Sequence, residues 1–145
     1  MEKNLAIIGA SYLQLPLIQK AKKLGYITHV FAWKINDVGE RAADYFYPIS
    51  IVEKECILKK CREIGICGIC SIASDLAVIT VNYVAEELGL NGNSLETTDV
   101  STNKYLMRQI FKKNGDPSPK SMKVDLNTDL DKINIIYPVI VKPTE

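Results

Sequence analysis

Apolar positions along this chain switch between two periods. Leu5-Ala6-Ile7-Ile8 is a short unbroken apolar run, the pattern of a strand buried on both faces. The strand it predicts, Asn4–Ile8, is broken by Gly9-Ala10-Ser11. Leu13, Leu17, Ala21 and Leu24 then recur at helical spacing, and Gly25 ends that helix. Pro16 falls in its first turn, where a missing N–H does little harm. Ile27–Ala32, rich in β-branched and aromatic residues, predicts a second strand, followed by a loop with Asn36, Asp37 and Gly39. A short extended piece at Tyr47–Ile49 precedes a helix from about Glu53 to Glu63, which Gly65 ends, and a strand over Ile66–Ile72. Ser74 can cap the next helix with Asp75 in its positive first turn; Ala77, Val81, Val84 and Leu88 mark its buried face and Gly89 its end. Strands and helices alternating through short connections predict an α/β fold, a parallel sheet with helices on both faces.

The character changes after residue 90. Asn91–Thr98 is polar and turn-rich, which divides the chain into domains 1–97 and 98–145. Ser101 or Thr102 opens a helix through Asn103–Asn114, stopped by Gly115, Pro117 and Pro119. A weak strand around Met122–Val124 and a stronger one at Pro138–Val141 follow, the latter running into Lys142-Pro143-Thr144-Glu145 with nothing visible to pair it. The expectation is an incomplete second domain. Because a bare strand edge invites pairing, the chain is expected to associate or to leave residues 120–145 mobile.

Composition narrows the function classes. With 145 residues there is room for one domain and the start of a second. Lys+Arg number 18 against 17 Asp+Glu, a net charge of +1, so no global field draws in a nucleic acid or an anionic membrane. No apolar run approaches the ~18–20 residues of a membrane span, and Met1-Glu2-Lys3-Asn4 does not open a secretory signal. A cytoplasmic chain is expected. Its cysteines are Cys56, Cys61, Cys67 and Cys70. Cys67 and Cys70 have C-x-x-C spacing, but residues three apart on a strand point to opposite faces and cannot chelate one ion. The cysteines therefore read as small core hydrophobes, with a redox pair as the alternative. The one histidine, His29, falls inside a strand, and no metal site is expected.

Ligands of open parallel sheets bind outside the carboxyl ends of the strands. Two such ends stand out, Gly9-Ala10-Ser11 and Ser74-Asp75. A glycine turn into a helix can offer backbone N–H groups to a carboxylate or phosphate; it can equally be a plain tight turn, and helix capping alone explains Ser74 and Asp75. Gly9 to Gln14 keeps only the first glycine of a dinucleotide fingerprint, and Ala32-Trp33-Lys34 lacks the acid that would hold a ribose, which disfavours a dehydrogenase. Lys104, Arg108 and Lys112 share one helix face, a solvated face or an anion site. Lys142 follows an apolar strand between Pro138 and Pro143, where its ammonium can be aimed at a phosphate.

Two stretches carry a resemblance. Thr102 to Phe111 with Gly115-Asp116-Pro117-Ser118-Pro119, and Tyr137-Pro138-Val139-Ile140-Val141-Lys142-Pro143, resemble the ATP-grasp superfamily, with its lysine-bearing helix running into a "gip" turn and its "yPvivKP" strand. The first part, Gly9-Ala10-Ser11 through Leu15-Pro16-Leu17-Ile18 to Gly25-Tyr26 and then Asp75 to Leu90, is similar to the Rossmann-like pre-ATP-grasp domain of carbamoyl-phosphate-synthase-like and phosphoribosylglycinamide-synthetase-like members. The resemblance implies a ligase that uses ATP and Mg²⁺ to activate a carboxylate as an acyl phosphate for attack by an amine. It places Lys104 and Lys142 on the nucleotide, and Gly9, Ala10, Ser11, Ser74 and Asp75 on the small carboxylate or amine substrate. The family's glycine-rich flap and its Mg²⁺ ligands lie after the lysine strand, so no catalytic residue or metal ligand is expected within this chain, which alone should be inactive. Gly115-Asp116-Pro117 departs from the family by placing a charge where an apolar residue packs. Many relatives are dimers, so a homodimer is compatible. The alternative is a stand-alone Rossmann-like module that binds a small metabolite.

Overall fold

The computed structural model describes residues 3–134 and 136–144; Ile135 and Glu145, in the predicted second domain, lie outside the described residues. The chain divides into two compact units, Met1–Thr98 and Asp99–Glu145.

The first unit is built on four parallel strands, β1 (Asn4–Ile8), β2 (Ile27–Phe31), β3 (Tyr45–Tyr47) and β4 (Gly68–Cys70), in the order β3-β2-β1-β4. Side chains alternate across the sheet, and the alternation of β1 sorts the core. Ala6 and Ile8 join Phe31, Ile57, Leu58, Cys61, Ala77 and Val84 in one cluster, under α3 (Lys54–Ile64) and α4 (Asp75–Glu87). Ile7 faces the other way and joins Val30, Ile18 and Ala21, under α1 (Leu15–Lys23) and α2 (Val38–Ala42). Full burial of each such Ile or Phe contributes about 1.5–3 kcal/mol, and burial on both faces explains why the strands read as unbroken apolar runs. The predicted α/β fold class is the one observed.

His29 is a core residue. Asn4 Nδ2 donates to Ile64 O at 3.3 Å, which leaves Asn4 Oδ1 facing His29 Nε2 at 3.2 Å. The ring proton therefore sits on Nε2, and Nδ1 accepts from the Tyr47 hydroxyl at 3.1 Å. Tyr45 stacks on the imidazole, with centroids 4.9 Å apart.

Several expectations are corrected. The loop that starts at Asn36 gives way at Val38 to the five-residue helix α2, tied to the first turn where Gly39 N donates to Ala10 O at 2.8 Å. The extended piece sits at Tyr45–Tyr47 instead of Tyr47–Ile49, and the cysteine strand shrinks to Gly68–Cys70. Only Cys61 is buried, with Cys70 half-buried; Cys56 and Cys67 are exposed and do not act as core hydrophobes. The polar stretch before residue 98 runs into a helix, α5 (Leu95–Thr102). The next helix, α6 (Lys104–Asn114), is capped by Asn103, whose side chain accepts from Tyr105 N and Leu106 N, instead of by Ser101 or Thr102. Neither Met122–Val124 nor Pro138–Val141 forms a strand. A strand exists only with a ladder partner, and these apolar segments have none among the described residues of their unit. That unit holds instead a 3₁₀ turn at Leu130–Lys132.

Candidate functional site

The chain leaves β1 for β2 and β3 on one side, then returns to place β4 on the other. This reversal is a topological switch point, where the loops after β1 and β4 lead to helices on opposite faces of the sheet. Gly9-Ala10-Ser11 leaves the carboxyl end of β1, and Ser71 to Ser74 leaves that of β4. The structure thus brings together the two predicted substrate segments.

Gln14, which the sequence reading left without a role, lies between them and is only 4% exposed. Its Oε1 accepts from Ser11 N at 3.1 Å and Ser11 Oγ at 2.7 Å, and its Nε2 donates to Ile72 O at 2.6 Å. Ser71 Oγ adds a bond to Ile8 O at 2.6 Å. Gly9, at φ +100°, holds a conformation that strains any L side chain, and a Cβ there would also press on Gln14 Cδ at 3.0 Å. Four more N–H groups of the turn are engaged too. Gly9 N bonds Phe31 O, Leu13 N bonds Ser11 Oγ, and Gln14 N and Leu15 N both bond Ser11 O. An anion arriving at this turn would find those N–H groups already held by the protein.

On the β4 side, Ala73 adopts φ +56°, a left-handed conformation that costs a β-carbon residue about 1–3 kcal/mol. It turns the chain so that Ser74 Oγ accepts from Ala77 N at 3.3 Å and caps α4. Asp75 is exposed in the first turn. The segments that leave this edge of the sheet carry large exposed apolar side chains: Tyr12 after β1, Trp33 and Ile35 after β2, Ile72 after β4, and Leu76 on α4. Elsewhere in the unit, an open groove of about 410 Å³ runs along Glu86, Gly89, Leu90, Gly92, Asn93 and Ser94, away from every predicted site residue.

The second unit carries the predicted nucleotide lysines. Lys104 N donates to Thr144 O at 2.8 Å, so the Lys142-Pro143-Thr144 segment runs beside the start of α6. Lys104 is half-buried and Lys142 exposed. The basic face of α6 is not uniform. Arg108 lies over the Phe111 ring and reaches Ser118 Oγ at 3.4 Å, whereas Lys112 is exposed. No group of three or more His, Cys, Asp or Glu that could hold a metal occurs among the described residues, and no described helix is long and apolar enough to cross a membrane.

Comparison with protein-family models and with curated proteins found no match. Solved structures do match. The chain superposes on phosphoribosylglycinamide synthetase from Anaerococcus prevotii with a TM-score of 0.72 and 25% identity, over 79% of this chain and 30% of that one. L-amino acid ligase from Bacillus licheniformis gives 0.67 and 27%, over 81% and 32%. N5-carboxyaminoimidazole ribonucleotide synthetase from Thermotoga maritima gives 0.67 and 24%, over 81% and 32%. The chain thus spans about a third of the length of these proteins, all ATP-grasp ligases, and matches their N-terminal part.

Proposed function

We propose that this chain, which carries the N-terminal α/β fold of ATP-grasp ligases, supplies the substrate-side part of an ATP-dependent carboxylate–amine ligase. The observation that carries the reading is the β3-β2-β1-β4 sheet with its switch point between β1 and β4, superposing on phosphoribosylglycinamide synthetase at a TM-score of 0.72. In this reading Gly9, Ala10, Ser11, Ser74 and Asp75 border the small carboxylate or amine. ATP supplies the phosphoryl group that converts the carboxylate to an acyl phosphate, which the amine then attacks. Two ammonium groups on one unit fit a polyphosphate, so Lys104 and Lys142 take the nucleotide, neutralising charge as phosphoryl transfer requires. The described residues offer no cluster of three or more His, Cys, Asp or Glu fit for Mg²⁺. The chain by itself is inactive, and the enzyme works in the cytoplasm.

The test uses the reading frame that encodes the chain, followed past Glu145 and expressed to its stop. It should release phosphate from ATP only when a carboxylate and an amine are both present. Lys104→Ala or Lys142→Ala should raise the KM for ATP about tenfold, the scale of one charge-assisted contact. Calorimetry of the 145-residue chain with Mg-ATP should show no tight binding. Tight binding would show that the chain holds more than part of a nucleotide site, and a stop codon directly after Glu145 would overturn the ligase. A stand-alone module for a small metabolite would then be favoured, a reading that the self-contained two-faced core of the first unit supports.

A further inference from the structure

We infer that the joint between the two units is the single residue Asn103, and that α5, the helix in which their boundary at Thr98 falls, moves as part of the first unit. The polar stretch 91–98 has the composition of a linker, but the structure leaves it little freedom.

That stretch is fastened to α4 along its length. Leu90 N donates to Ala85 O at 2.8 Å, Asn93 N to Asn82 Oδ1 at 3.2 Å, and Asn82 Nδ2 to Thr98 Oγ1 at 2.7 Å. Gly92 lies so close to the helix that a Cβ would sit 2.7 Å from Ala85 Cβ. Asn82 and Thr98 are both buried, which shields their bond from water. The helical ladder carries this hold forward, with Thr98 N on Ser94 O and Asn103 N on Asp99 O, both at 2.9 Å. α5 contains no Gly or Pro at which a helix would kink.

The ladder ends at Asn103, whose backbone is extended at φ −89° and ψ 108°. The three N–H groups that would carry it across are bonded elsewhere. Lys104 N donates to Thr144 O at 2.8 Å, and Tyr105 N and Leu106 N donate to Asn103 Oδ1 at 3.1 and 3.0 Å. Asn103 O then accepts from Met107 N at 2.9 Å, the first rung of α6. One residue thus closes α5 and caps α6. A continuous helix would satisfy the same three N–H groups from the carbonyls of Val100, Ser101 and Thr102. It needs ψ of Asn103 to move from 108° to about −42°. The two arrangements trade bonds one for one, and the Asn103 Oδ1 bonds, which exist only in the broken form, hold the joint open. Hinges concentrate at such element ends, where a few dihedrals absorb the motion. Lys104 follows the joint directly, so under the ligase reading the nucleotide side pivots about Asn103. The joint itself does not depend on that reading.

Residual dipolar couplings of the amides of the 145-residue chain, weakly aligned, locate the joint, because residues that move together fit one alignment tensor. Couplings of α5 should fit the tensor of β1 and β2, and those of α6 a second tensor. Asn103→Ala should raise the continuous form about fivefold, the weight of one N-cap, read as a secondary Cα shift at position 103 moving toward the helical value. Asn103→Asp, which keeps a capping oxygen, should match the parent. If α5 fits only with α6, the joint lies in residues 91–94 and the inference is overturned. One tensor for all of these elements would remove the joint altogether. An unchanged secondary shift in Asn103→Ala would show that the cap does not hold the break, and the role given to Asn103 would fall.

Discussion

Gln14 shows how much one side chain can decide. Its amide ties the turn after β1 to the end of β4, 58 residues away in sequence. Replacing it with alanine leaves Ser11 N and Ile72 O without those partners. Unsatisfied buried groups cost about 1–3 kcal/mol, so urea unfolding of Gln14→Ala should show a loss of that size; an unchanged midpoint would show that water replaces the amide freely. Asp44 makes a second cluster, accepting from Thr28 N at 2.9 Å, Thr28 Oγ1 at 2.8 Å and Lys22 Nζ at 2.7 Å. Burial alone would raise its pKa, but the Lys22 hydrogen bond, the two Thr28 donors and the Lys22 charge outweigh burial and hold the carboxyl below its ordinary value. A folded pKa below the unfolded one contributes stability that is complete above about pH 4 and is lost as pH falls through the folded value. Asp44→Asn should therefore be less stable than the parent at pH 7 and lose less on acidification, as read from urea midpoints across the acid range. Parallel profiles would remove Asp44 from the acid response. Neither residue's role could be seen in the sequence, because each depends on partners that only the folded chain brings near.

Among the elements, those buried on two faces were legible and those held by a single tertiary contact were not. β1 and β2 announce themselves as apolar runs because helices cover both their sides. Of α5, only Leu95 and Val100 are aliphatic, so no apolar stripe marks it. Ser94 starts it, accepting from Thr97 N at 3.1 Å, and Thr98 anchors it, its buried hydroxyl accepting from Asn82 Nδ2 at 2.7 Å. Asn82 Oδ1 also takes Asn93 N at 3.2 Å. Asn82→Ala should loosen α5 and the groove beside it, costing about 1–3 kcal/mol and speeding amide exchange at Asn93 in hydrogen-exchange NMR. Exchange at Asn93 as slow as in the parent would show that α5 holds without Asn82. The opposite error occurred at Met122–Val124 and Pro138–Val141, where apolar sequence looks like strand but finds no ladder. Half of the candidate site was legible on the same grounds: the carboxyl-edge segments follow from strand order, whereas their closure by Gln14 does not.

Across the whole chain, burial is one-sided. From Asp99 onward no described residue is buried, α6 included, so the hydrophobic core lies in the first unit. Hydrogen exchange should find the slowest amides in β1 and β2, with residues after Thr98 exchanging orders of magnitude faster; comparable protection in both parts would show a core in the second that contacts within it do not reveal. The strand order has a further consequence for how such a chain is made. β1 sits at the centre of the sheet, yet its second neighbour, β4, arrives late: Ser71 meets Ile8 across 63 residues. At ribosomal speeds of about 5–20 residues per second, β1 waits roughly 3 to 13 seconds with one edge bare. During that interval the nascent chain presents Leu5-Ala6-Ile7-Ile8 to whatever is near, a window for chaperone capture that ends when Gly68-Ile69-Cys70 emerges and zips onto it.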